Sequence, residues 1–110
     1  MSEKDTINLL SILDSISKII QFTDNLPDPD AFFTDVKSFD AVMMNFIVIG
    51  EMVDRISEEF KENNSQIEWI RIKGFRNLVA HDYFGVDAEE VWQIILNDLP
   101  TLKTEIEKII

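Results

Sequence analysis

The sequence predicts an all-α protein, an antiparallel bundle of four to five helices. Three observations carry this expectation. Apolar residues recur at intervals of three and four along most of the chain, the period of one face of an α-helix. Only three Gly and three Pro punctuate the 110 residues, too few for the many tight turns of an all-β protein. The segments between apolar runs are short, so consecutive helices fold back beside one another.

The first predicted helix covers residues 5–22, where Ile7, Leu9, Leu10, Ile12, Leu13, Ile16, Ile19, Ile20 and Phe22 make a wide apolar face. Leu26-Pro27-Asp28-Pro29-Asp30 breaks the pattern, and a short turn of helix follows through Phe33. A second long helix takes Ser38 as its N-cap and carries Phe39, Val42, Met43, Phe46, Ile49, Val53, Ile56 and Phe60 in one row. Asn63-Asn64-Ser65 ends it and caps a third helix, which runs from near Gln66 to a terminating Gly85. Asp87-Ala88-Glu89-Glu90 reads as a capping box that opens a fourth. Val91, Ile95, Leu99, Leu102, Ile106 and Ile109 continue that stripe, with a kink or break at Pro100 and Asn97 or Asp98 as the new cap. No repeat, low-complexity tract or long linker divides the chain, so residues 1–110 are expected to form a single domain.

Ten Lys and Arg stand against twenty-one Asp and Glu, a formal charge of -11. Such a chain is repelled by phosphate backbones, which excludes diffuse nucleic-acid binding over the whole surface. With no Cys, disulfide, zinc-thiolate, iron–sulfur and Cys-nucleophile chemistry are excluded. One His excludes a His-rich metal site within one chain, although carboxylate sites for Mg2+ or Ca2+ stay open. No metal site and no cofactor are expected. No apolar run reaches the ~18 residues of a spanning helix. Residues 1–10 include Glu3 and Asp5 and lack the pattern of a signal peptide. A cytoplasmic protein without a membrane partner is the expectation.

The third helix differs from the rest. Ile67, Ile70, Gly74 and Leu78 form a row that would suffice for the core. Ile72, Phe75 and Val79 form a second apolar row about 100° away, and Trp69, Lys73, Arg76, Ala80 and Tyr83 a third. Two apolar rows fit either the central helix of a bundle or a subunit interface. Charge singles out the same segment: residues 1–65 carry -8, residues 84–110 carry -4, and residues 66–83 carry +1, through Arg71, Lys73 and Arg76. That is where an anion such as an RNA backbone could be tolerated, with Arg71 and Lys73 as candidate contacts.

Arg76 offers a fixed fork of donors suited to phosphate oxygens. His81 exchanges protons near neutrality. Such a pair suits metal-free RNA cleavage by attack of a 2′-OH on the adjacent phosphorus. A base and an acid are both wanted, yet the chain holds one His; a twofold homodimer opposing two third helices would supply two. On an ideal helix Arg76 and His81 lie about 140° apart, so the helix loosens before Gly85 or the groups meet through the partner chain. The plainer readings are a core His, a surface Arg favourable to the helix dipole, and an amphipathic Tyr at a helix end.

The stretch Gly74-Phe75-Arg76-Asn77-Leu78-Val79-Ala80-His81-Asp82-Tyr83-Phe84-Gly85-Val86-Asp87 resembles the HepT-like family of HEPN-superfamily toxins, with its Arg-x4-His-x-Tyr motif. Ile49-Gly50-Glu51, Val91-Trp92 and Asp98-Leu99-Pro100 also look like that family, so the resemblance covers nearly the whole chain. It implies a homodimeric, metal-independent endoribonuclease toxin of a type VII toxin–antitoxin system. Arg76 and His81 would be catalytic, with Asn77 polarising or orienting them. Tyr83 would accept AMP from a cognate minimal nucleotidyltransferase antitoxin, and the added charge and bulk would silence the enzyme. The alternative is a non-catalytic regulatory partner of a nucleotidyltransferase.

Overall fold

Helix starts in this chain are set by short acceptor side chains. Ser2 Oγ accepts from Asp5 N, Asp28 from Ala31 N, Asp35 from Ser38 N, Ser57 from Phe60 N, and Asp87 from Glu89 N and Glu90 N. Each satisfies a backbone donor that the first turn of a helix leaves without a partner. The computed structural model describes residues 1–82 and 87–110, the side chains of residues 78 and 80–82 excepted. Its helices are α1 (Glu3–Thr23), α2 (Pro29–Thr34), α3 (Val36–Arg55), α4 (Glu58–Asn63), α5 (Trp69–Asp82), α6 (Ala88–Gln93) and α7 (Leu99–Ile109), with a π-helical stretch Ile94–Asp98 joining the last two. No strand occurs among the described residues, and the all-α class holds. Nor is any described helix long and apolar enough to cross a membrane.

Helix α3 lies between α1 and α5. Both neighbours run antiparallel to it. At the start of α1, Asp5 receives Ser57 just beyond the end of α3, and Asn8 Nδ2 donates to Arg55 O. Leu9, Ile12, Ile16 and Ile19 of α1 meet Val42, Met43, Phe46 and Ile49 of α3 in a fully buried core. Ile7 and Leu10, at the edge of the predicted face, stay about half exposed. Phe32 of α2 joins its ring to Phe39 and Trp92, closing one end of the core.

Four sequence expectations are corrected. Asp35, not Ser38, caps α3; its backbone N–H also donates to Ala31 O, so one residue ends α2 and starts α3. Phe60 does not continue α3. Ile56 is extended, Ile56 N closes onto Val53 O, and Ser57 N goes to Asp5 Oδ1 instead of the helix ladder. Helix α5 starts at Trp69 rather than near Gln66, after Ile67 N and Trp69 N have closed short turns onto Asn64 O and Ile67 O. Finally, neither Asn97 nor Asp98 caps a new helix at Pro100. The backbone stays helical, and Leu99 N reaches Ile94 O, five residues back. The wider turn accommodates the absent N–H and the ring of Pro100.

Candidate active site

Helix α5 is held on α3 by Ile72, Phe75 and Val79, each at most 5% exposed. Phe75 meets Phe46 edge-on at 5.4 Å. Trp69 pins the start of the helix: its Nε1 donates to Asn64 O at 3.1 Å, and its ring stands edge-on to Phe60. The expected core row is therefore the wrong one. Ile70 is 90% exposed, and a Cβ added to Gly74 would meet nothing within 4 Å. Ile67 is buried but precedes the helix. The choice follows from area, since a row containing Phe buries far more apolar surface than one interrupted by Gly. Leu78, the last member of the expected row, falls among the side chains not described.

The row beside the buried one carries the cations. Arg76 Nη1 donates to Glu51 Oε1 of α3 at 2.8 Å. One turn back, Lys73 Nζ meets Asp54 Oδ1, also at 2.8 Å. The partners advance by three residues in opposite directions, two rungs of a ladder between antiparallel helices. Glu51's hydrogen bond and charge raise the Arg76 pKa above its ordinary value, and those of Lys73 lower that of Asp54. Beneath the upper rung lies Gly50. A Cβ there would stand 2.6 Å from Arg76 Cβ and 3.3 Å from Arg76 N and Lys73 O, so glycine is what allows this approach.

Arg71 serves a different neighbour. Its Nη2 meets Asp98 Oδ2 at 2.6 Å, and its Nη1 lies 3.7 Å from Glu68. The structure thus brings Lys73 and Arg76 together and sets Arg71 apart. The positive island of the linear sequence is not a positive patch in space, because α3 and the π-helical stretch supply Glu51, Asp54 and Asp98. A broad open groove of about 800 Å3, lined by Val53, Lys61, Trp69, Ile70 and Lys73 among others, opens beside the lower rung. Asn77 is exposed. His81 belongs to α5, five residues beyond Arg76, but its side chain is not among those described. Ala80's side chain, Tyr83 and Gly85, expected to end the helix, likewise lie outside the described residues. Among the described residues no group of three or more His, Cys, Asp and Glu is placed to hold a metal ion.

Sequence reasoning passed over Glu51, Asp54 and Gly50 as site residues. Two signals pointed to them: acids spaced by three on one helix facing cations spaced by three on another, and an isolated glycine inside a strong helical pattern.

A family model described as "Ribonuclease HepT-like" matches residues 12–109. The chain belongs to the HepT-like ribonuclease family. "Putative RNase MJ0127" of Methanocaldococcus jannaschii is 36% identical over 100% of this chain and 91% of its own length. "Probable ribonuclease HepT" of Thermococcus cleftensis is 33% identical over 98% of this chain and 96% of its own. "Putative RNase TTE0752" of Caldanaerobacter subterraneus is 33% identical over 84% and 77%. No solved structure gives a significant match. In this HepT-like chain the segments flanking the motif have physical tasks: Gly50 and Glu51 seat Arg76, Asp98 holds Arg71, and Asp87 starts α6.

Proposed function

We propose that this protein is an endoribonuclease that needs no metal ion and works as a homodimer, the toxin of a toxin–antitoxin pair. The observation that carries this reading is the family match across residues 12–109, which takes in Arg76, Asn77, His81 and Tyr83 together. His81 removes the proton of a ribose 2′-OH, whose oxygen attacks the neighbouring phosphorus. Arg76 stabilises the charge on the phosphoryl oxygens, and Asn77 orients the pair. The bond to the 5′-oxygen breaks, the departing oxygen takes a proton from the second copy of His81, and a 2′,3′-cyclic phosphate remains. Lys73 and Arg71 contact the flanking backbone once phosphate replaces their carboxylate partners. The open face of α5, with Ile70, Gly74 and Asn77, is the surface offered to the second copy.

Silencing follows from Tyr83. Its oxygen attacks the α-phosphorus of ATP on the cognate nucleotidyltransferase, releasing pyrophosphate and leaving AMP on the tyrosine. The added phosphate and bulk repel RNA from the site.

Purified protein is expected to cleave RNA in EDTA and leave cyclic-phosphate ends. His81→Ala and Arg76→Ala each lower the rate by about 10²–10³-fold with the helical fold intact. Intact RNA at high protein concentration, with no growth arrest on expression, overturns the reading. One observation favours a second reading, a non-catalytic partner of the nucleotidyltransferase: Arg71, Lys73 and Arg76 are all paired with acids. Co-purification with the transferase, without nuclease activity before or after demodification, selects it.

A further inference from the structure

The reading of Arg76 as a catalytic cation demands that its guanidinium be held in one orientation, although an Arg side chain has much rotamer freedom to lose. Three observations bear on how it is held. Glu51 accepts from one terminal nitrogen at 2.8 Å. The missing side chain at Gly50 lets the α3 backbone approach Arg76 so closely that any Cβ would collide. The Lys73–Asp54 rung ties the same two helices one turn away. The Arg76 side chain nevertheless keeps 31% of its surface exposed, so a phosphate has access to it.

We propose that Glu51 is a positioning residue: it anchors one terminal nitrogen of the Arg76 guanidinium, where Gly50 lets α3 and α5 approach closely, and leaves the other donors for the substrate phosphate. Glu51 touches no reacting atom. Its carboxylate takes up one terminal nitrogen of the fork, which restricts rotation about the last bonds of the side chain. The raised pKa of Arg76 is consistent with a tight pair.

This inference rests on the catalytic reading of Arg76, and the experiment separates the two. Full-length wild type, Glu51→Gln, Glu51→Ala and Arg76→Ala are compared for steady-state cleavage of an RNA oligonucleotide, with circular dichroism melts to confirm folding. The guanidinium NMR signals of Arg76 are followed in each arginine-containing form. Glu51→Ala is expected to lose about 10–100-fold in kcat with KM little changed, as for a group misplaced by about 1 Å. Glu51→Gln keeps an acceptor at the same place and recovers most of that loss. The Arg76 Nη resonances are resolved in wild type and Glu51→Gln, and average together in Glu51→Ala as the group spins freely. Unchanged kcat in Glu51→Ala overturns the proposal. So does a rise in kcat/KM in both Glu51 variants, because Glu51 would then compete with phosphate rather than position its partner. If Arg76→Ala cleaves like wild type, the catalytic reading itself falls, whatever the NMR signals report.

Discussion

Asp5 decides where α3 stops. It is 2% exposed, and its two oxygens accept from Ser57 N at 2.9 Å and Ser57 Oγ at 2.7 Å. Ser57 Oγ in turn accepts from Phe60 N, so one carboxylate ends a helix and supports the cap of the next. Replacing Asp5 by Ala leaves the Ser57 amide without an acceptor and should cost about 1–3 kcal/mol, read as a lower urea midpoint with unchanged slope. Burial pushes the Asp5 pKa up, but the bonds from the Ser57 hydroxyl and amide outweigh it and bring the carboxyl below its ordinary value. A carboxyl with a lowered folded pKa stabilises above the unfolded value, about 3.9, and that contribution fades as pH falls through the lowered one. Urea midpoints should therefore decline below about pH 5, and less steeply in Asp5→Asn than in wild type. At Gly50, alanine gains about 1 kcal/mol of helix preference but meets Arg76 Cβ, an overpacking cost of about 1–3 kcal/mol. Gly50→Ala should thus change stability modestly while lowering cleavage sharply, a contrast that paired melts and rate measurements reveal.

Among the elements, α5 separates what the sequence displays from what only the fold decides. Phe75→Ala removes the ring that meets Phe46 and should cost about 3–5 kcal/mol in denaturant titrations. Ile70→Asp, on the open face, should leave the monomer's fold within about 0.5 kcal/mol and shift the proposed dimer to monomer in sedimentation equilibrium. Periodicity showed that this helix had two apolar rows; it had no means of ranking them, because the ranking depends on the surface α3 presents. The same limit explains the break at Ile56. The apolar row runs through to Phe60 without a fault, and the interruption comes from a carboxylate 52 residues away in sequence. Local signals did better. Asp87 caps α6 as expected, and the core residues of α1 and α3 lie among those the three-and-four spacing selected. Of the candidate site, the cations Arg71, Lys73 and Arg76 were legible, whereas their pairing with Asp98, Asp54 and Glu51 was not, since those carboxylates reside on other helices.

Over the whole molecule, the net charge of -11 has a structural explanation. Asp28, Asp35 and Asp87 serve as N-caps, and Glu3, Asp5, Asp30, Glu58, Glu59, Glu89 and Glu90 occupy first helical turns. Negative charge is favourable there, against the exposed N–H groups of each helix. Many short helices require many starts, and the acid excess follows in part from that. The remaining self-repulsion acts across the surface, where salt screens it over a Debye length of about 10 Å at 0.1 M. Melting temperature should accordingly rise between 20 mM and 200 mM KCl; a fall would mean that the exposed ion pairs outweigh the repulsion. The π-helical stretch has a consequence at this same scale. A turn that holds one residue more than its neighbours rotates everything after it, like a collar set between two lengths of a shaft. Trp92-bearing α6 can therefore address α2, while α7, on the same continuous helix, addresses α1. A single rod of uniform pitch would have to face one of these neighbours and neglect the other.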